Sequence, residues 1–162
     1  MFTVHATKKL LDRCGGPSST ETSTTRLGDW YATALFWRPQ VALFVSETTR
    51  LPVFVPLAPT AELIPRCVAA FATVAAQLGV EPELLNTEVA AMAEYRYAKT
   101  ANRSVVGTMN DFAFLADHHR RNGGSDDLVT LSIRLAATPC EPLHGSYGFP
   151  DRALRVILGP TT

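Results

Sequence analysis

The 162-residue chain has three cysteines, Cys14, Cys67 and Cys140, far apart and with no CxxC among them. That count and spacing exclude a disulfide framework and a structural zinc site, and leave reduced thiols as the expectation. No apolar run approaches the ~18 residues that a membrane helix needs. The opening from Met1 to Lys9 lacks the apolar centre of a signal peptide. A cytoplasmic location and no membrane partner are therefore expected. An excess of one charge is missing too, since 15 Lys+Arg balance 15 Asp+Glu for a net charge of 0. This disfavours polybasic binding to nucleic acid, although a local patch could still form.

Catalytic signatures are equally scarce. GxSxG, HExxH and GxxxxGK[ST] are all absent. Asp126 and Asp127 fall at the start of a helical pattern, where acids complement the dipole. Glu81, Glu83 and Glu88 read as a solvated surface. A nucleophilic Cys140 paired with His144 would need loop geometry, because Pro139 and Pro142 break any helix joining them; that reading is set aside. No metal and no cofactor is expected.

What the chain does have is an ordinary globular composition, 46% hydrophobic and 19% charged. At this length it can bury a core without a staple, so a single domain over 1–162 is expected. Phe2–Ala6 alternates as a half-buried strand, and Thr7 then caps a short helix carrying Leu10 and Leu11. Residues 15–29 are polar around Ser18–Thr25 and read as a mobile loop. Trp30–Trp37, Val41–Ser46 and Val53–Val55 are joined by short turns and read as an antiparallel meander. Trp30, Phe36, Trp37, Phe44 and Phe54 supply its apolar bulk. Pro52 and Pro56 place the third strand near a sheet edge.

Helices follow around Val68, Phe71, Ala75 and Leu78, and from Pro82 through Leu85, Val89 and Met92. After a strand at Tyr95–Ala98, a helix is expected from about Thr108 to Arg121. A further helix, capped by Ser125, carries Leu128, Leu131 and Leu135. Residues 139–162 read as a weaker C-terminal extension. The expected fold class is α+β: an antiparallel meander sheet of four or five strands with helices packed on one face.

One segment concentrates chemistry. Between Lys99 and Asp111 lie two cations, two amides, hydroxyls, a glycine and a carboxylate, at a strand-to-helix junction. A helix N-terminus flanked by Lys99 and Arg103 is a physically sensible anion site. The candidate ligand-binding residues are Lys99, Asn102, Arg103, Ser104, Thr108, Asn110 and Asp111. The structural alternative has Thr108 as a cap, Gly107 as a turn residue and Arg103 paired locally. His118 and His119 diverge by about 100° on a helix and cannot chelate one ion. They read as a solvated C-terminal turn, and His5 as a structural residue.

The stretch Arg103-Ser104-Val105-Val106-Gly107-Thr108-Met109-Asn110-Asp111-Phe112 resembles an Arg-Ser-Val-x-Gly-x-Met-Asn-Asp-Phe motif of bacterial proteins of unknown function. Thr7–Leu11 and Trp30-Tyr31-Ala32 fit that family as well, so the resemblance covers roughly residues 1–120. It implies no activity. The functional expectation is a non-enzymatic binding or interaction protein whose partner is an anionic small molecule or another protein, with self-association into a homodimer through sheet edges. The alternatives are a small enzyme using Arg103, Asn110 and Asp111, and a nucleic-acid-associated protein.

Overall fold

The computed structural model describes residues 1–17, 21–124, 127–141 and 148–160. The readings made for Ser18, Ser19, Thr20, Ser125, Asp126, Pro142 and His144 lie outside the described residues. The alternating opening forms β1 (Phe2–Ala6), and α1 (Lys8–Cys14) follows, closed by Gly15 in the left-handed region at φ 91°. Thr7 occupies the cap position of α1, but its hydroxyl meets the Thr33 hydroxyl at 3.0 Å and bonds no helix amide.

The meander is present as β2 (Trp30–Leu35), β3 (Val41–Ser46) and β4 (Pro52–Pro56), paired antiparallel. The sheet as a whole is mixed, which corrects the purely antiparallel expectation. β1 runs parallel both to β2 and to β5 (Tyr95–Lys99), with Val4 level with Trp30 and with Tyr97. The strand order is β4-β3-β2-β1-β5, so β4 lies at an edge, as its prolines indicate. Between β4 and β5 the chain makes a single 3-10 turn at Thr60–Glu62, then α2 (Leu63–Gln77) and α3 (Pro82–Ala91). After β5 come α4 (Arg103–Arg121), α5 (Leu128–Ala136) and α6 (Pro150–Ile157).

A second correction concerns the layers. Alternate strand residues divide between two apolar clusters. Phe2, Val4, Trp30, Ala32 and Phe44 belong to one, together with Phe71 and Val74 of α2. Tyr31, Leu35, Leu43, Val45 and Phe54 belong to the other, with Val105, Met109 and Phe112 of α4. Helices therefore cover both faces of the sheet, not one. Trp30 meets Phe71 edge-on at 5.6 Å and 74°, an arrangement that adds about 0.5–1.5 kcal/mol to the burial itself. Phe36 contributes nothing to either core: β2 stops at Leu35 and its ring is 60% exposed.

Helix α5 shields the β4 edge. The Phe54 amide donates to Ser132 Oγ at 3.0 Å, and Ser132 in turn donates to Leu128 O at 2.7 Å. A strand N–H that would otherwise face solvent or another chain is thus capped from a helix. Asp127, not Ser125, is the described cap of α5, its carboxylate accepting from the Val129 amide at 3.3 Å. Among the described residues no helix is long and apolar enough to cross a membrane.

Residues 21–29 adopt neither helix nor strand, yet their backbone is fastened at several points. Thr24 N donates to Met1 O, and Thr3 N donates to Ser23 Oγ. The strongest fastening comes from Glu88, expected on a surface but only 2% exposed. One carboxylate oxygen accepts from Arg26 N and the other from Leu27 N, both at 2.9 Å. Two amide donors replace the water a buried carboxylate needs. Glu88→Gln should destabilise the protein by roughly 1–3 kcal/mol, because one amide loses its acceptor in a dry site. Glu83→Gln, on an exposed turn of the same helix, should stay within about 0.5 kcal/mol of wild type. Urea unfolding of both variants checks this.

Candidate functional site

The candidate segment lies where β5 passes into α4, and its local structure follows from one asparagine. Asn102 Oδ1 accepts from the amides of Ser104 at 2.9 Å and Val105 at 3.3 Å, so the helix starts at Arg103. Thr108 is therefore an interior residue and not a cap, and Gly107 forms no turn. Asn102 is also held from outside the helix. Its own amide donates to Tyr31 Oη at 2.9 Å, and its Nδ2 donates to Glu47 Oε1 at 3.3 Å. Two first-turn amides that an anion would have used are thereby already bonded.

The strand end is tied just as firmly. His5 Nδ1 lies 2.7 Å from Lys99 O, and His5 Nε2 lies 2.7 Å from Asp29 Oδ2. Both ring nitrogens face oxygen acceptors, so only the doubly protonated imidazolium donates to both. The ring stacks on Tyr31 at 4.7 Å and 20°. The other Asp29 oxygen accepts from Ser23 N at 3.0 Å and Ser23 Oγ at 2.6 Å. Burial opposes ionisation of Asp29, but the bonds from Ser23 and His5 and the charge of His5 outweigh it. Its carboxyl is held below its ordinary value.

The seven candidate residues do not converge on one point. Lys99, Arg103 and Asn110 are exposed and line no part of the cavity described next, while Asn102 is committed to capping. Ser104, Thr108 and Asp111, spaced along one stripe of α4, do meet. With Gly107 they form one wall of a cavity of ≈ 480 Å³. Phe114 and Leu115 of α4 extend that wall, and residues 138–141 after α5 face it. The Arg103, Asn110 and Asp111 triplet is therefore split, with only Asp111 on this cavity.

Behind the wall stands a residue that sequence reading passed over. Arg50 ends the β3–β4 turn, where a charged residue ordinarily reads as solvated. Here it is 8% exposed, at a left-handed φ of 61°. Its Nη1 donates to Thr108 Oγ1 at 3.0 Å, and Thr108 donates to Ser104 O at 3.1 Å. Among the described residues Arg50 makes no ion pair. Burial outweighs the attraction of Cys140, Glu47 and Tyr31 and pulls the guanidinium below its ordinary pKa. The Cys140 thiol, also on the cavity, is pushed up by burial, with Thr108 and Arg50 pulling down and Asp111 adding to the rise. A thiol raised in this way is not an activated nucleophile.

His118 and His119 lie in the last turn of α4, and the described residues hold no cluster of three or more metal-ligating side chains.

The Asp29 bonds set a pH dependence. A carboxyl lower in the folded than in the unfolded chain contributes stability that is complete above the unfolded value, near 3.8, and is lost as pH falls through the folded value. Asp29→Asn should lower unfolding free energy at pH 7 by roughly 1–3 kcal/mol, the cost of removing an ionised partner from partly buried donors. The wild-type and variant values should draw together as pH drops below 3.8, as urea titrations at pH 7, 4 and 2.5 would measure.

No curated protein and no solved structure matches the chain. It belongs to the family described as a domain of unknown function, DUF6933, matched over residues 3–153.

Proposed function

We propose that this member of the family is a non-enzymatic binding protein that holds a small anionic ligand in the cavity beside Ser104, Gly107 and Thr108. The observation that carries this reading is Arg50: a buried cation whose guanidinium, among the described residues, makes no ion pair and bonds the Thr108 hydroxyl, in a left-handed conformation. Each feature costs free energy, and such costs gather where a site is organised for a ligand. An anion in the cavity would add to the attraction that Glu47 exerts on Arg50, acting across the Thr108 hydroxyl.

Gly107 supports the same reading. A glycine inside a helix costs about 0.8–1 kcal/mol relative to alanine, and here no atom beyond the chain neighbours and the helix's own backbone lies within 4 Å of where a Cβ would stand. Packing does not require the glycine, whereas a cavity wall gains space from it. Asp111 and Glu141 on the same cavity would favour an anion that also carries a positive or hydrogen-bond-donating group. The enzyme alternative lacks convergent side chains, and the raised thiol of Cys140 offers no substitute.

Thermal unfolding against phosphate, small carboxylates and amino acids tests the proposal. A ligand at a hundred times its dissociation constant should stabilise wild type by about 2.7 kcal/mol. Gly107→Leu should leave the free protein as stable as wild type or up to about 1 kcal/mol more so, and should abolish the ligand response. Arg103→Ala should keep it. If no anion stabilises wild type, or if Gly107→Leu responds fully, the proposal fails.

A further inference from the structure

Helix α4 lays out the groups of the ≈ 480 Å³ cavity in a fixed order. At one end stand Ser104, Gly107 and Thr108, with Arg50 behind the Thr108 hydroxyl. Ser104 is exposed, and its hydroxyl has no partner among the described residues. Asp111 follows about 4.5 Å further along the helix axis, and Leu115 about 6 Å beyond that. The facing wall keeps the same order. The Cys140 thiol meets Thr108 and senses the charge of Asp111, whereas Thr138, like Leu115, also borders the adjoining cleft beside His118.

Two features beyond Arg50 point to what such a cavity takes. Asp111 and Glu141 are exposed on its lining, and neither makes an ion pair among the described residues. Two unpaired carboxylates beside one small cavity attract a cationic group. Phe114, on the same lining, is 73% exposed, and its neighbour Leu115 is exposed as well. Single apolar residues scattered over a surface need no explanation. Two adjacent ones at a cavity that also holds polar groups leave apolar area for a ligand to cover.

An α-amino acid with a long apolar side chain carries the matching partners in the same order: a carboxylate, an ammonium on the next carbon, and a hydrocarbon beyond. We infer that the cavity binds such an amino acid, its carboxylate beside Ser104 and Gly107 in the field of Arg50, its ammonium at Asp111, and its side chain on Phe114 and Leu115. This rests on the anion reading of the same cavity and adds to it the amine and the apolar body. An exposed ion pair contributes modestly, so selectivity comes from the three groups together.

Titration of the whole isotope-labelled protein, followed through the backbone amide resonances of Gly107 and Leu115, gives a dissociation constant for each ligand. Leucine should bind about tenfold more tightly than alanine, which lacks the apolar body. It should bind about fivefold more tightly than isocaproate, which lacks the amine, and than isoamylamine, which lacks the carboxylate. Phe114 and Asp111 are both exposed, so substitutions there keep the fold. Phe114→Ala should weaken leucine about fivefold and leave alanine unchanged. Asp111→Asn should weaken leucine several-fold and leave isocaproate unchanged. Leucine binding no tighter than any one of the three comparison ligands, or unchanged leucine affinity in either variant, would overturn the inference. The anion reading survives that failure if acetate or phosphate still binds and Gly107→Leu abolishes the response. If leucine, acetate and phosphate all leave the resonances in place, both fall.

Discussion

β1 has a parallel neighbour on each side, and a parallel pair cannot be closed by a hairpin. Each partner must be reached by a crossover, and the crossovers carry the helices. The chain goes from β1 through α1 and residues 15–29 to β2, and from β4 through α2 and α3 to β5. Because β5 docks beside β1 as the edge strand opposite β4, helix α4 leaves from that edge and lies back across the second face. There Val105, Met109 and Phe112 pack on Leu43, Val45 and Phe54. The placement of helices on both faces of the sheet follows from where β1 sits.

The β5–α4 junction shows how polar residues serve this architecture. His5, Tyr31 and Asn102 bond the backbone of the junction directly, while Asp29 and Glu47 hold the side chains of His5 and Asn102 in turn. A helix start expected to offer free amides is satisfied internally. Elsewhere Arg50, behind Thr108, is buried with no ion pair among the described residues, whereas Arg120, beside Trp37, pairs with Asp117. Where polar groups are matched in this way, they lock the fold.

Much of this was legible in the residues, and the gaps are instructive. The Trp30–Trp37 run is apolar on both alternate faces, a pattern that belongs to a strand covered on both sides. Its second covered face was nevertheless missed, because a meander is compatible with one open face. The start of α4 was placed five residues late: Gly107 was taken as a breaker, although a glycine is tolerated inside a helix and Asn102 is a strong cap. Ser104, Thr108 and Asp111 share one stripe of α4, a relation not read from the sequence because the segment before Thr108 was taken as a loop. All seven candidates, Arg103 and Asn110 included, were grouped by proximity in the chain.

Local periodicity by itself determined where the strands and most helices run, because a 2- or 3.6-residue repeat is written in consecutive residues. It also determined the antiparallel hairpins, whose short turns leave no other pairing. Tertiary structure alone decided that β1 pairs in parallel and that Glu88 and Arg50 are buried. Those outcomes depend on groups tens of residues apart meeting or failing to meet. Glu88 is buried because Arg26 and Leu27 arrive 60 or more positions away to bond it. Burial of a charge is a property of the surroundings that folding assembles, and the charged residue carries no local mark of it.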